Sequence, residues 1–182
     1  MTYSKKEIIP RSMFFGRIAV GKTTVARVLS EVRGVKLIDC DKEIWKYYSG
    51  DEEKVKKEIT DALISGNKKK YKKEMIKFAK KVNWHKMFSE DANYEVSVLG
   101  NFYNLGVIPK EIIDKFKIFK IMCYVDTRAM NIKDRGLDQD WVNKVDAMFE
   151  DPIGIPFDVI FNEDILGERP TPELKENAPV AK

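Results

Sequence analysis

The chain has 182 residues, 43 % of them hydrophobic, and a formal net charge of +4, enough for one domain with a sizeable core. No stretch approaches the ~20 apolar residues of a membrane span, and the N-terminal Met-Thr-Tyr-Ser-Lys-Lys-Glu lacks the apolar centre of a signal peptide. Two cysteines, Cys40 and Cys123, and one histidine, His85, argue against a disulfide framework or a metal pair, so a cytoplasmic protein with reduced, buried thiols is expected.

Ser12–Phe15 reads as a short buried strand. Directly after it, Gly16-Arg17-Ile18-Ala19-Val20-Gly21-Lys22-Thr23 matches the phosphate-binding pattern G-x-x-x-x-G-K-[ST] in full. Val25, Val28 and Leu29 then share one face of a helix spanning Thr23–Val32 and ending near Gly34. Strand, glycine loop and helix form the setting this motif requires. The loop directs backbone N–H groups at an anion, and the helix N-terminus adds partial positive charge. Lys22 is expected to reach the β- and γ-phosphates of ATP, and the Thr23 hydroxyl to hold Mg²⁺. Gly16, Ala19, Gly21, Lys22, Thr23 and Thr24 make up the expected nucleotide-binding loop.

The second strand, Val35–Ile38, runs into Asp39-Cys40-Asp41. Ligands of open α/β sheets lie beyond the C-terminal ends of the strands. Asp39 is therefore expected to accept or orient the proton of an acceptor hydroxyl, and Asp41 to cap a helix over Asp41–Tyr48. Two charged helices follow, Asp51–Ile64 and Lys69–Lys81. The stretch from Trp45 to Tyr94 is too long for a simple crossover and is expected to form a helical acceptor lobe, about 45–94. Between Lys54 and Lys81 it carries eleven lysines against Glu58, Asp61 and Glu74, with Glu53 at its leading edge. That is either a solvated face or an electropositive wall beside the phosphate site. Its few aromatics, Tyr71 and Phe78, give little support for stacking bases, so a nucleic-acid partner is allowed but not favoured. Trp45, Tyr47, Tyr48 and Trp84 read as lobe-packing aromatics.

Three more strands are expected at Val96–Leu99, Phe119–Val125 and Phe157–Phe161. Helices are expected at Ile112–Phe116, Thr127–Lys133 and Asp138–Phe149. This alternation predicts an α/β fold: a doubly wound, five-stranded parallel sheet of P-loop NTPase type with a helical acceptor-binding insertion. A single domain over 1–182 is expected, with a lid at about 127–150. Within the lid Arg135, just before the hinge-like Gly136, is expected to clamp the transferring phosphoryl group, whereas Arg128 reads as an ordinary helix-surface residue. Asn162, at the end of the fifth strand, is expected to face an adenine edge. The polar tail from Gly167, with Pro170, Pro172 and Pro179, is expected to fray.

The glycine loop, the strand Val35-Lys36-Leu37-Ile38-Asp39-Cys40-Asp41, the run from Val125-Asp126 to Arg135, and Asp158-Val159-Ile160-Phe161-Asn162 together resemble the dephospho-CoA kinase family of P-loop kinases, close to nucleoside and deoxynucleoside monophosphate kinases. The resemblance implies ATP-dependent phosphorylation of a hydroxyl on a small, nucleotide-like, phosphate-bearing acceptor, with no membrane involved. Lys22 and Thr23 would serve the nucleotide and Mg²⁺, Asp39 the acceptor and Arg135 the lid. The chain departs from the family pattern at Val96-Ser97-Val98-Leu99-Gly100-Asn101, which lacks an Asp-x-Pro-Leu-Leu stretch, and at Asn131, where an arginine is expected. A deoxynucleoside monophosphate kinase, a kinase of polynucleotide hydroxyls, and a nucleotide-binding switch or degenerate homologue are the alternatives.

Overall fold

Arg11–Phe15 forms β1 and is buried along its whole length, because a strand flanked by parallel neighbours and covered on both faces has no solvent side. It is the central strand of a five-stranded sheet in the computed structural model, which describes residues 11–88, 95–98 and 107–167. The strand order is β2-β3-β1-β4-β5, with β2 at Lys36–Asp39, β3 at Glu95–Val98, β4 at Phe116–Met122 and β5 at Asp158–Phe161. Every pairing is parallel. The chain moves to one side of β1 for β2 and β3 and to the other for β4 and β5. The loop after β1 therefore lies where the winding reverses, the usual place for a ligand.

Alternate side chains of β1 serve different layers. Phe14 packs with Val25 and Ala26 of α1 (Lys22–Arg33) and with Ile121 of β4; Ile165 of α9 (Asn162–Leu166) joins this layer. Met13 and Phe15 face a larger cluster. It gathers α3 (Glu52–Ile64), α4 (Lys68–Ala79), α5 (Trp84–Met87) and the end of α8 (Gln139–Met148). The lobe helices begin at side-chain caps: Asp51 accepts from the Lys54 N–H and Asn67 from the Lys70 N–H. Trp45 lies 4.8 Å from the Phe78 ring, and the Trp84 indole donates to the Ala79 carbonyl at 3.0 Å. α8 packs on both α3 and α4, so the expected lid rests against the expected lobe.

Boundaries differ most from expectation at β4, at the start of α7 and after β2. β4 starts at Phe116, which pairs with Arg11, and it ends at Met122. Phe116 thus belongs to the strand, and the helix expected at Ile112–Phe116 is the single turn α6 at Lys110–Ile113. Tyr124 caps α7 (Val125–Asp134), its N–H donating to the buried Glu163 carboxylate at 2.9 Å, so Val125 is helical instead of extended. The helix expected at Asp41–Tyr48 is α2 (Cys40–Glu43) followed by a 3-10 turn at Ile44–Tyr47. Asp39, not Asp41, occupies the N-cap position of α2, and it makes no side-chain cap bond there. Cys40 is buried and Cys123 only half-buried. Burial, with Glu163 nearby, pushes the Cys123 thiol up to about 11 against the opposing pull of Arg128. No described helix is long and apolar enough to cross a membrane. Leu99, Gly100 and Asn101, the lobe beyond Phe88 and the tail beyond Gly167 lie outside the described residues.

Candidate active site

Four successive carbonyls of the loop after β1 are each held by a side-chain donor. Lys22 Nζ donates to Arg17 (2.8 Å), Arg128 Nε to Ile18 (3.0 Å), Asn131 Nδ2 to Ala19 (2.8 Å) and Asn162 Nδ2 to Val20 (2.9 Å). Across a trans peptide the carbonyl and the next N–H point in opposite directions. The N–H groups of residues 19–21 are therefore turned away from Arg128, Asn131 and Asn162, while the Arg17 carbonyl faces the Lys22 ammonium. Ala19 (φ 63°) and Gly21 (φ 88°) supply the left-handed steps of the curl, and among the described residues Ala19 is the one non-glycine at positive φ. Gly16 and Gly21 are required sterically as well. A Cβ on Gly16 would run into the Ile121 carbonyl, and one on Gly21 would lie 2.7 Å from Asn162 Nδ2. α1 opens at Gly21 with no side-chain cap bond, leaving first-turn N–H groups and the positive end of the helix dipole for a ligand.

A cavity of about 510 Å³ opens on this loop. Gly21, Lys22, Thr23 and Thr24 line one side; Asp39 and Asp41 reach it from the end of β2, and Asn131, Asp134 and Arg135 from α7. Loss of solvent lowers the Lys22 ammonium to about 8; Asp41 resists the shift, while Arg135 and Arg128 add to it. The Arg135 side chain, at the end of α7, is exposed at the cavity edge. Asp39 has Lys42 at 3.4 Å. Among the described residues no three His, Cys, Asp or Glu side chains gather to hold a metal ion. The Thr23 hydroxyl and the two aspartates do supply the hard oxygens that suit Mg²⁺ arriving with a nucleotide's phosphates.

Two residues stand elsewhere than expected. Arg128, read as a surface residue, is only 21 % exposed, and besides the Ile18 carbonyl it binds both carboxylate oxygens of Asp146 on α8, at 2.6 and 2.8 Å. Asn162, expected against an adenine edge, is buried at 3 % exposure with its amide committed to Val20. Both residues brace the loop instead. Asn131 does the same from a position where an arginine was expected. The sequence carries no local signal for these braces, because each lies more than a hundred residues from the carbonyl it holds.

A second cavity, of about 330 Å³, meets the first at Lys22 and Asp41 and runs between the loop, Trp45, α3, α4 and α8. Asp41 touches both cavities, Asp39 only the first. The lysine-rich stretch does not form a wall of the first cavity. Of its eleven lysines only Lys56 reaches either cavity. Lys68 and Lys72 pair with Glu150, and Lys77 pairs with Glu74. Lys54, Lys80 and Lys81 line a separate groove with Asp51 and Glu58.

The sheet order and the braced glycine loop define an α/β fold of the P-loop type. No family model matches the sequence, and no curated protein matches it. Among solved structures, shikimate kinase from Acinetobacter baumannii in complex with shikimate is similar, with a TM-score of 0.50 and 17 % identity, over 85 % of this chain and 84 % of that one. An unliganded sugar kinase from Janibacter sp. has a TM-score of 0.50 at 10 % identity, covering 84 % of each chain. A gluconokinase from Sinorhizobium meliloti has a TM-score of 0.48 at 13 % identity, over 84 % of this chain and 82 % of that one. These likenesses are of fold. They do not show the dephospho-CoA kinase family in particular.

Proposed function

We propose that this chain is an ATP-dependent kinase that transfers the γ-phosphoryl group to the hydroxyl of a small molecule. One observation carries the reading: the Ile18, Ala19 and Val20 carbonyls are fastened by donors from distant elements, which leaves the amides of residues 19–21, Lys22 and the uncapped start of α1 for a polyphosphate. Such a site catalyses mainly by positioning and by countering charge. Lys22 serves the β- and γ-phosphates, Gly16, Ala19, Gly21 and Thr24 shape the loop, and Arg135 comes to the transferring group from the lid. Thr23 would hold Mg²⁺, which when bound offsets phosphate charge. Asp39, at the end of β2, and Asp41, in α2, face the phosphates. Asp41, shared by the two cavities, takes the hydroxyl proton, and Asp39 orients the site around it. The kinase neighbours, one of them holding shikimate, support a small hydroxyl compound as acceptor. The nucleotide-like, phosphate-bearing acceptor of the sequence resemblance stays in the screen as the rival, and a reducing cytoplasmic setting belongs to the same proposal.

The test is calorimetric titration of the full chain with Mg·ATP, followed by a screen of acceptors scored by product mass. Micromolar binding, acceptor-dependent turnover, and loss of turnover by at least ~10²-fold in Lys22→Ala are expected. Hydrolysis indifferent to every acceptor would replace the kinase with a nucleotide switch.

A further inference from the structure

The second cavity differs chemically from the first. Its walls are Trp45, Ile59, Leu63, Met75, Trp141 and Val145. Lys22 and Asp41 lie at its phosphate end, and Thr60 and Tyr71 add hydroxyls. Its other cation, Lys56, is bonded to Glu52 and sits 4.7 Å over the Trp45 ring, so its charge is already compensated. No arginine among the described residues lines this cavity. A phosphate- or carboxylate-bearing acceptor calls for an uncompensated cation or a planar guanidinium fork. A polyol calls for a partner to each hydroxyl it buries. Beyond Lys22 the walls supply no such cation, and for buried hydroxyls only Thr60, Tyr71 and two indole N–H groups; the rest is apolar surface, with one carboxylate where the γ-phosphoryl group would arrive.

Resting on the kinase reading above, we infer that the acceptor is a small uncharged alcohol with an aromatic or cyclic hydrocarbon body, entering hydroxyl-first. A cavity of ~150 Å³ accommodates benzene, so about 330 Å³ takes one ring with its substituents. In the transfer the alcohol oxygen bonds to the γ-phosphorus as the bond from that phosphorus to the β,γ-bridging oxygen breaks. The electron pair leaves with ADP, and the hydroxyl proton passes to the Asp41 carboxylate.

The experiment uses the full chain with Mg·ATP and compares 3-phenyl-1-propanol and cyclohexylmethanol with shikimate, gluconate, thymidine monophosphate and dephospho-CoA. Phosphate esters are scored by mass and kcat/KM, and tryptophan fluorescence follows binding without ATP. The hydrocarbon alcohols are expected to lead by about tenfold or more and to give a saturable fluorescence change. Trp141→Ala should raise their KM about tenfold without altering the KM for ATP, and Trp141→Phe should recover most of that loss. ATP binding together with preference for a polyol or a phosphate-bearing acceptor, or no response to the alcohols, overturns this inference alone. Absence of ATP binding overturns the kinase reading and this inference with it.

Discussion

Replacing Arg128 by alanine tests whether the phosphate loop is held from outside. The substitution removes a bond to the Ile18 carbonyl and two to Asp146, whose side chain is 16 % exposed. Breaking a fully buried pair costs ~3–5 kcal/mol and an exposed one ~1 kcal/mol or less. With about a fifth of each side chain in water, the loss should be about 2–3 kcal/mol. For a domain of this size that lowers Tm by roughly 5–10 °C. Freed of its donor, the Ile18 peptide can turn over, and Kd for ATP should rise about tenfold, or ~1.4 kcal/mol. Arg128→Lys keeps the charge but cannot serve a carbonyl and a carboxylate from one planar group, so it should recover less than half of either loss. Asp146→Ala should cost nearly as much as Arg128→Ala, and the double variant little more than either single one. Thermal unfolding and ATP calorimetry on the four proteins decide the matter. A Tm within about 1 °C of the parent and a Kd within about twofold in Arg128→Ala would show the clamp to be idle.

Lys22, at about 8 in the free protein, should be raised once phosphate lies against it. ATP affinity should therefore be level below pH 8 and fall about tenfold per pH unit above it, with proton uptake detectable by calorimetry in buffers of different ionisation heat. Equal affinity at pH 7 and pH 10 would refute this. For folding the sign is reversed: the unfolded chain keeps this proton up to about 10.5, so Lys22 adds stability as pH rises from about 8 towards 10.5. Gly21→Ala forces a left-handed alanine, at ~1–2 kcal/mol, and displaces Asn162 from Val20. ATP binding should weaken more than tenfold while circular dichroism still reports the fold. Asp41→Asn should lower kcat ~10²–10⁴-fold with ATP affinity kept, and Asp39→Asn should do less; the reverse ranking in steady-state assays would return the proton to Asp39.

The phosphate loop was legible because its residues are adjacent in the chain and its glycines answer to local geometry. β1 was legible for a similar reason, since burial on both faces turns a strand into an unbroken apolar run. β4 was misplaced by three residues because Phe116-Lys117-Ile118 alternates like a strand yet follows a helical turn with no punctuating glycine, and its end is set by Glu163 capping α7 from far along the chain. Arg128, Asn131 and Asn162 are long-range braces whose partners are backbone atoms, and a carbonyl leaves no mark in a sequence. Whether the lysines of α3 and α4 face the site or solvent stayed open in the sequence, because charge density along the chain says nothing of which way a helix faces.

The sequence signature and the grip it advertises are separable properties of this molecule. Asn162 stands 142 positions after the carbonyl it fastens, so a nascent chain carries a complete motif long before its peptide planes can be kept from flipping. A fragment stopping short of α9 would still read as a nucleotide binder by inspection and yet lack the donor that fastens the Val20 carbonyl.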